Sequence, residues 1–498
     1  MSSTSLPVPA SPASPPVPVK AGDFPTWLPP MLVKELRQGL RTRGFVGAFI
    51  VFQVIMVLLM VGTVFGSMFG TGMPRSFMAN AVTSIFWTLL GAQLLLATPV
   101  RALGTLQVEL DSRALDLLVL TRLTAWRIVL GKWGSLLAQA LLLFVAMLPY
   151  GIVRYFMGSV DLVQDAQICA AMIAGCALLT AAGLACSGLP KIVRVLVPIV
   201  LIMGFQIIRP LMMLASGRGS VGSVFGTSMF GRSGETWLWC VNGAIILGIF
   251  LVTAVRRIAP PAENHVFLTR VLALASVLPI GLLVVLSKAR LAREQLMFSV
   301  VLLGIVGAIE LSSMRWPMMA HWRNWAKRGP LARWAGRFVL PGWPSAFSYL
   351  IIAGLLVGVA ASLPNVAPPA DRLRVQWLVV LAVSGLAFPA FVLSFFERST
   401  RSAGALYILV FGVACLVAAM AAVLANGQPD LRVLLPLASV LPIAGFWITL
   451  LAPDQFTDNV FVWQAVIAVV VLTGTWYRAR IYWDELARID GLVRGPKK

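Results

Sequence analysis

Acidic side chains are scarce in this chain: 19 Asp and Glu stand against 40 Lys and Arg in 498 residues. A proton- or sodium-coupled transporter would be expected to carry several carboxylates at mid-membrane, and their scarcity argues against that class. Histidine is scarcer still. His265 and His321 lie far apart, which leaves little material for a His-based metal or catalytic centre. The five cysteines, at positions 169, 176, 186, 240 and 415, show no CxxC or other metal-ligand spacing and read as small packing residues. The chain also lacks a phosphate-binding loop. Its one Gly-Lys pair, Gly131 and Lys132, is followed by Trp133, and Trp126 stands where the motif needs its first glycine.

What is present is apolar. Hydrophobic residues make up 59% of the chain, charged residues 12%, and mean hydropathy is +0.88, outside the range of globular domains. A run of about 20 apolar residues spans a hydrocarbon core of roughly 30 Å, and it must be helical because lipid offers the backbone no hydrogen-bond partners. The fold class is therefore all-α, a polytopic membrane bundle. Candidate spans fall at 45–70, 77–103, 133–157, 166–189, 192–215, 236–256, 266–287, 296–316, 346–363, 375–396, 403–425, 433–451 and 460–477. Pro436 and Pro442 interrupt the run 433–451, and Asp454 and Asp458 follow it, so about 12 (12–13) transmembrane helices are expected, with 433–451 re-entrant or interfacial.

Orientation follows from the retention of Lys and Arg in cytoplasmic loops. Lys34, Arg37, Arg41 and Arg43 place the N-terminus inside, and the basic tail after Arg478 places the C-terminus inside. Arg256, Arg257 and Arg270 read as a cytoplasmic loop, as do Lys191 with Arg194 and the basic residues of 315–337. Lys288, Arg290 and Arg293 resist the alternation, because their short loop should face outward. The net charge of +21 is spread over loops at membrane edges, a distribution that points to lipid headgroups and away from nucleic acid.

Residues 1–27, rich in Ser and Pro and without an apolar core, read as a disordered cytosolic tail that is not cleaved. In the following LPPMLVKELRQGLRTRGF, Leu32, Leu36 and Leu40 line one helical face and Lys34, Arg37 and Arg41 the other, with Glu35 between them. Such a helix is expected to lie in the membrane surface, apolar side down. The charged segment 108–133, VELDSRALDLLVLTRLTAWRIVLGKW, sits between the second and third candidate spans. Its leucines could enter an apolar groove on a soluble partner or rest on the membrane surface.

An interfacial VKELRQGLRTR helix leading into the first span, then E-x-D-x-x-x-L-D-L-L-V-L-T-x-L and IVLGKW after the second, resembles the permease subunits of ABC-2 type transporters, exporters of bacteria and archaea. Glu109 and Asp111 match the acidic positions, Leu115, Asp116, Leu117 and Leu118 the apolar-acidic core, and Thr121 and Leu123 the turn. Leu130, Gly131 and Lys132 match the next helix start. Leu110 departs from the usual Arg, Arg113 and Ala114 from Gly-Thr, and Arg122 from Pro. The resemblance covers residues 28–258, a six-span unit with the coupling loop at 105–132.

The resemblance implies a non-catalytic permease in the bacterial cytoplasmic (inner) membrane. A cytosolic ABC ATPase, a separate chain, would use the ATP, and no cofactor would be bound here. Leu115, Leu118 and Leu123 would seat in the ATPase, with Arg113, Asp116 and Arg122 at the rim. One coupling loop per chain implies a homodimer or a heterodimer with a related permease.

The second unit, 259–498, shows no second copy of this pattern and no internal repeat. Its segment 315–345, with Trp322, Trp325 and Trp334 among basic residues, suits a cytoplasmic interfacial helix pair. The stretch 216–235, rich in Gly and Ser, reads as an external loop or as the short re-entrant helices of the family. Glu310, near the cytoplasmic end of its span, is expected to pair with Arg315 or to snorkel, and Arg154 and Arg209 to reach headgroups. Two other classes stay open: a polytopic enzyme acting on lipid-linked substrates, with Asp454 and Asp458 as its thin candidates, and a secondary transporter or membrane scaffold.

Overall fold

The computed structural model describes residues 30–68, 83, 86–111, 124–156, 162–187, 236–259, 263–312, 330–364, 366, 372–395, 406–417, 441–442 and 458–494. Every regular element among them is helical. In order these are α1 (Pro30–Leu40), α2 (Arg43–Met68), a π-helical turn (Ala92–Ala97) running into α3 (Thr98–Asp111), α4 (Ala125–Phe156), α5 (Leu162–Cys186), α6 (Thr236–Ile258), α7 (Val266–Ala275), α8 (Leu278–Val285), α9 (Ala289–Ser312), α10 (Pro330–Val339), α11 (Trp343–Ser362), α12 (Arg372–Leu393), α13 (Leu406–Val417) and α14 (Asp458–Arg494).

Ten helical stretches among the described residues are long and apolar enough to cross a membrane, α7 and α8 counting together as one. The chain is an all-α polytopic membrane bundle. The expected spans at 192–215 and 433–451, and the stretch 216–235, lie outside the described residues.

Polarity is turned inside out relative to a soluble bundle. Outward positions of α2 are Val46, Ile50, Val54, Leu58 and Phe65, each 44% exposed or more, while Gln93, Thr98, Gln139, Thr180, Asn242, Gln295 and Ser299 are buried between helices. A surface of that kind is stable only in hydrocarbon, where polar groups find partners by facing the bundle.

One apolar cluster packs α2, the π-helical turn, α4 and α5 around Met56, Leu94, Met147 and Ile168, and three more tie the bundle together. One joins α1, α3, α4, α5 and α6 through Met31, Ala102, Val129, Ala181, Leu184 and Val255. A second joins α6 to α7, α8, α9 and α11 through Ile245, Ala273, Ile280, Leu303 and Ala353. The third packs α9, α11, α12, α13 and α14 around Leu311, Phe347, Ala390, Tyr407 and Val471. Because α6 contributes to the first two of these three, it joins the helices before it to those after it.

Prolines explain two irregularities. Pro99 cannot donate to the carbonyl a turn before it, and the helix widens just upstream into the π turn, with the Thr98 hydroxyl donating to the Gln93 carbonyl at 3.0 Å. Pro279, in the first turn of α8, breaks the span 266–285 at Ser276 and Val277. The Ser276 carbonyl freed by that break accepts from the Gln295 amide and from the Ser299 hydroxyl, each at 2.8 Å. Gln295 also exchanges two hydrogen bonds with Asn242 of α6, at 2.7 and 3.0 Å.

This knot of neutral polar groups is hard to read in sequence, since Asn242, Ser276 and Ser299 are isolated in apolar runs and Gln295 follows the charged pair Arg293 and Glu294. Replacing Gln295 by Leu leaves the Asn242 amide unpaired. The expected cost is about 1 kcal/mol of helix association, measured as a shift of the unfolding midpoint in mixed detergent micelles.

Candidate functional site

Two arrangements of polar side chains stand out, one beside the charged loop and one between the two units. The first begins with α1. Its apolar face does not rest on lipid alone: Met31 is buried against α4, and a carbon added at Gly131 would lie 3.0 Å from the Met31 Cγ. Glycine at 131 is what lets the two helices approach so closely. Next to it, Lys132 Nζ, on a side chain only 6% exposed, donates to the Glu35 carboxylate at 3.4 Å. Two turns further along α4, Arg101 of α3 donates to the Gln139 carboxamide at 3.0 Å, and its guanidinium stands 5.4 Å from the centre of the Phe45 ring on α2. The interfacial helix, the first span, α3 and α4 are thereby tied at one end of the bundle.

Of the interfacial residues, Glu35 is the one drawn into this junction, whereas Lys34, Arg37 and Arg41 stay exposed. Glu109 and Asp111 fall in the last turn of α3. The remaining residues assigned to the coupling loop, Arg113, Leu115, Asp116, Leu117, Leu118, Thr121, Arg122 and Leu123, lie outside the described residues. Helix extends into both ends of the segment 105–132: α3 runs on to Asp111, and α4 starts at Ala125, where the Thr124 carbonyl accepts from the Arg127 amide at 3.0 Å. Residues 112–124 connect the ends of these two helices.

The second arrangement centres on Glu310 of α9, which is fully buried. Arg270 of α7, also fully buried, donates to it at 3.1 Å, and Arg256 at the end of α6 donates to its other oxygen. Arg270 reaches further. It donates to the carbonyls of Phe338 and Leu340, the latter at 3.2 Å, and to the Ser345 hydroxyl at 3.3 Å. Its guanidinium lies 5.8 Å from the centre of the Tyr349 ring. Asn264 adds a hydrogen bond to the Val339 carbonyl at 3.0 Å. The last carbonyls of the interfacial helix α10 are thus collected by the start of the α7 span, and a cation at a helix C-terminus is also favoured by the helix dipole.

This hub corrects three sequence expectations. Arg270 and Arg256 are not loop residues but sit within helices, because a carboxylate and backbone carbonyls inside the bundle offset their desolvation. Glu310 does not snorkel: it is buried between Arg256 and Arg270, brought from two other helices, while Arg315 lies outside the described residues. The signal available in sequence was the isolation of Arg270 within an apolar run, which is itself a mark of an internal partner. Among the described residues no group of three or more His, Cys, Asp or Glu is gathered as a metal site would be. What both arrangements can do chemically is hold helices in register and pass displacement between them. No family model matches the chain, and neither the curated proteins nor the solved structures provide a match.

Proposed function

We propose that the chain is the membrane-spanning permease subunit of an ATP-driven ABC-2 type exporter, coupling a separate cytosolic ATPase to translocation. It belongs in a bacterial cytoplasmic membrane with both termini inside, works as a homodimer or with a related permease, and performs no hydrolysis itself. The observation that carries this reading is the Glu35 to Lys132 pair. The two sequence features behind the resemblance, VKELRQGLRTR and IVLGKW, are about a hundred residues apart, yet they pack on each other beside the loop expected to meet the ATPase. A push on 112–123 would tilt α4, and α1 would follow because its contacts are with α4.

The test is a mild-detergent pull-down of the tagged protein from its native membrane, with mass spectrometry for P-loop ATPase chains. Wild type is expected to recover one. Leu115→Asp with Leu118→Asp should abolish recovery while membrane insertion stays intact, since two charges in an apolar groove cannot be offset there. Unchanged recovery in the double variant removes the coupling role from this loop.

One observation favours a secondary transporter as the second reading. The span broken at Ser276, with Asn242 and Gln295 beside it, has the form of the discontinuous helices that line substrate sites in such proteins. Gradient-driven uptake by the purified chain in proteoliposomes without ATP would move that reading ahead.

A further inference from the structure

Along α1 an open cleft of about 580 Å³ is lined, among the described residues, by Val33, Lys34, Arg37, Gln38, Arg41 and Thr42. Positions 34, 37, 38 and 41 fall on one helical face, so three cations and an amide converge there, with no carboxylate among the described lining residues. Among the described residues neither Lys34 nor Arg41 has an ion pair. The face of the helix that carries Glu35 is held on α4 by the Glu35 to Lys132 pair, so the orientation of the cationic face is set by packing.

Position adds the second element. Thr42 caps α2: its hydroxyl accepts from the Phe45 amide at 3.4 Å and donates to the Gly39 carbonyl at 2.7 Å, and the first apolar span begins at Arg43. The cleft therefore stands where the chain enters the hydrocarbon, at headgroup level. Leading away from it along α2 are Val46, Ile50, Val54 and Leu58, four exposed apolar side chains at four-residue spacing. At 1.5 Å per residue they form a track of about 18 Å, comparable with the roughly 15 Å depth of one leaflet's hydrocarbon.

From this geometry we infer that the α1 cleft is a binding site for an anionic phospholipid. The phosphate is held by Lys34, Arg37 and Arg41, and the acyl chains lie along the outer face of α2. A free phosphate would use the cations and leave the apolar track without a role. The inference rests on the membrane architecture and stands apart from the exporter reading.

The probe is phosphatidylglycerol, with phosphatidylcholine as the uncharged comparison, titrated into the full-length protein in detergent and read by native mass spectrometry. Wild type is expected to bind one phosphatidylglycerol in preference to phosphatidylcholine. Lys34→Gln with Arg41→Gln should weaken that binding about 25-fold, from about one factor of five for each cation removed near an anionic lipid. Arg480→Gln, which removes an exposed cation elsewhere, should leave it unchanged.

Both exchanged side chains are exposed, and Lys34→Arg with Arg41→Lys keeps the charge. Wild-type affinity in that variant, together with an unchanged elution profile for the glutamine pair, separates loss of the site from loss of the fold. Equal weakening by Arg480→Gln, or none by the glutamine pair, reduces the effect to diffuse charge and overturns the proposal. Displacement of phosphatidylglycerol by millimolar inorganic phosphate, with phosphate alone protecting wild type against heat but not the glutamine pair, would make it a free-phosphate site and overturn the lipid assignment.

Discussion

Replacing Glu310 by Ala is expected to cost about 3–5 kcal/mol, the largest effect of any single change outside the charged loop, because it leaves two inward-facing arginines without their carboxylate. Arg270 is fully buried and cannot swing to water, and although its carbonyl partners at Phe338 and Leu340 remain, they carry only partial charge. Arg256 is 22% exposed and can recover some hydration, so Arg256→Ala should cost clearly less than either Glu310→Ala or Arg270→Ala. Glu310→Gln keeps an acceptor oxygen and should fall between wild type and Ala. The measurement is the unfolding midpoint and slope of the purified chain against an increasing mole fraction of a denaturing detergent. If Glu310→Ala were within 1 kcal/mol of wild type, or if Arg256→Ala were the more damaging change, the hub would not be the joint between the units described above.

The second large effect is expected at Gly183, where α5 crosses α3. A carbon added at this position would lie 2.7 Å from the Pro99 carbonyl oxygen and 2.9 Å from Ala102 Cβ. The first of these is backbone, so nothing flexible can yield, and the helices must part. Gly183→Val should destabilise the bundle by about 1–3 kcal/mol or more through overpacking. The comparison is Gly104→Ala, on the same helix pair but facing open space, where the substitution should be neutral or gain up to about 1 kcal/mol of helix propensity. The parting at Gly183 also changes the angle at which α3 runs towards residues 112–123. Similar stability of Gly183→Val and Gly104→Ala would mean that α3 and α5 are not in close contact.

The helices themselves were legible because a membrane span is written in a single variable, apolar length, which does not depend on neighbours. The expected runs at 45–70, 236–256, 266–287 and 375–396 correspond to α2, α6, α7 with α8, and α12 within a few residues. The interfacial helix was equally legible from its alternating faces, as α1. The expectation for where that helix lies was incomplete, since a leucine face fits lipid and protein equally well and only the glycine at 131 on the receiving helix favours protein. The start of α4 was placed too late for a related reason. Residues 125–132 carry Arg127 and Lys132 and so score as loop, yet Lys132 is neutralised by a carboxylate almost a hundred positions earlier.

By itself, then, the sequence determined the solvent and the class of fold: with so few charges and runs of this length, the chain can satisfy its backbone only as helices in a bilayer. Tertiary structure alone decided which of the rare polar groups act together. Arg256, Arg270 and Glu310 come from three helices, Glu35 and Lys132 from two, and Asn242, Ser276 and Gln295 from α6, the break between α7 and α8, and α9. A polar group in hydrocarbon must find a partner but carries no sequence record of which one, because the partner is chosen by helix packing, through the close approaches that glycine permits and the carbonyls that proline sets free.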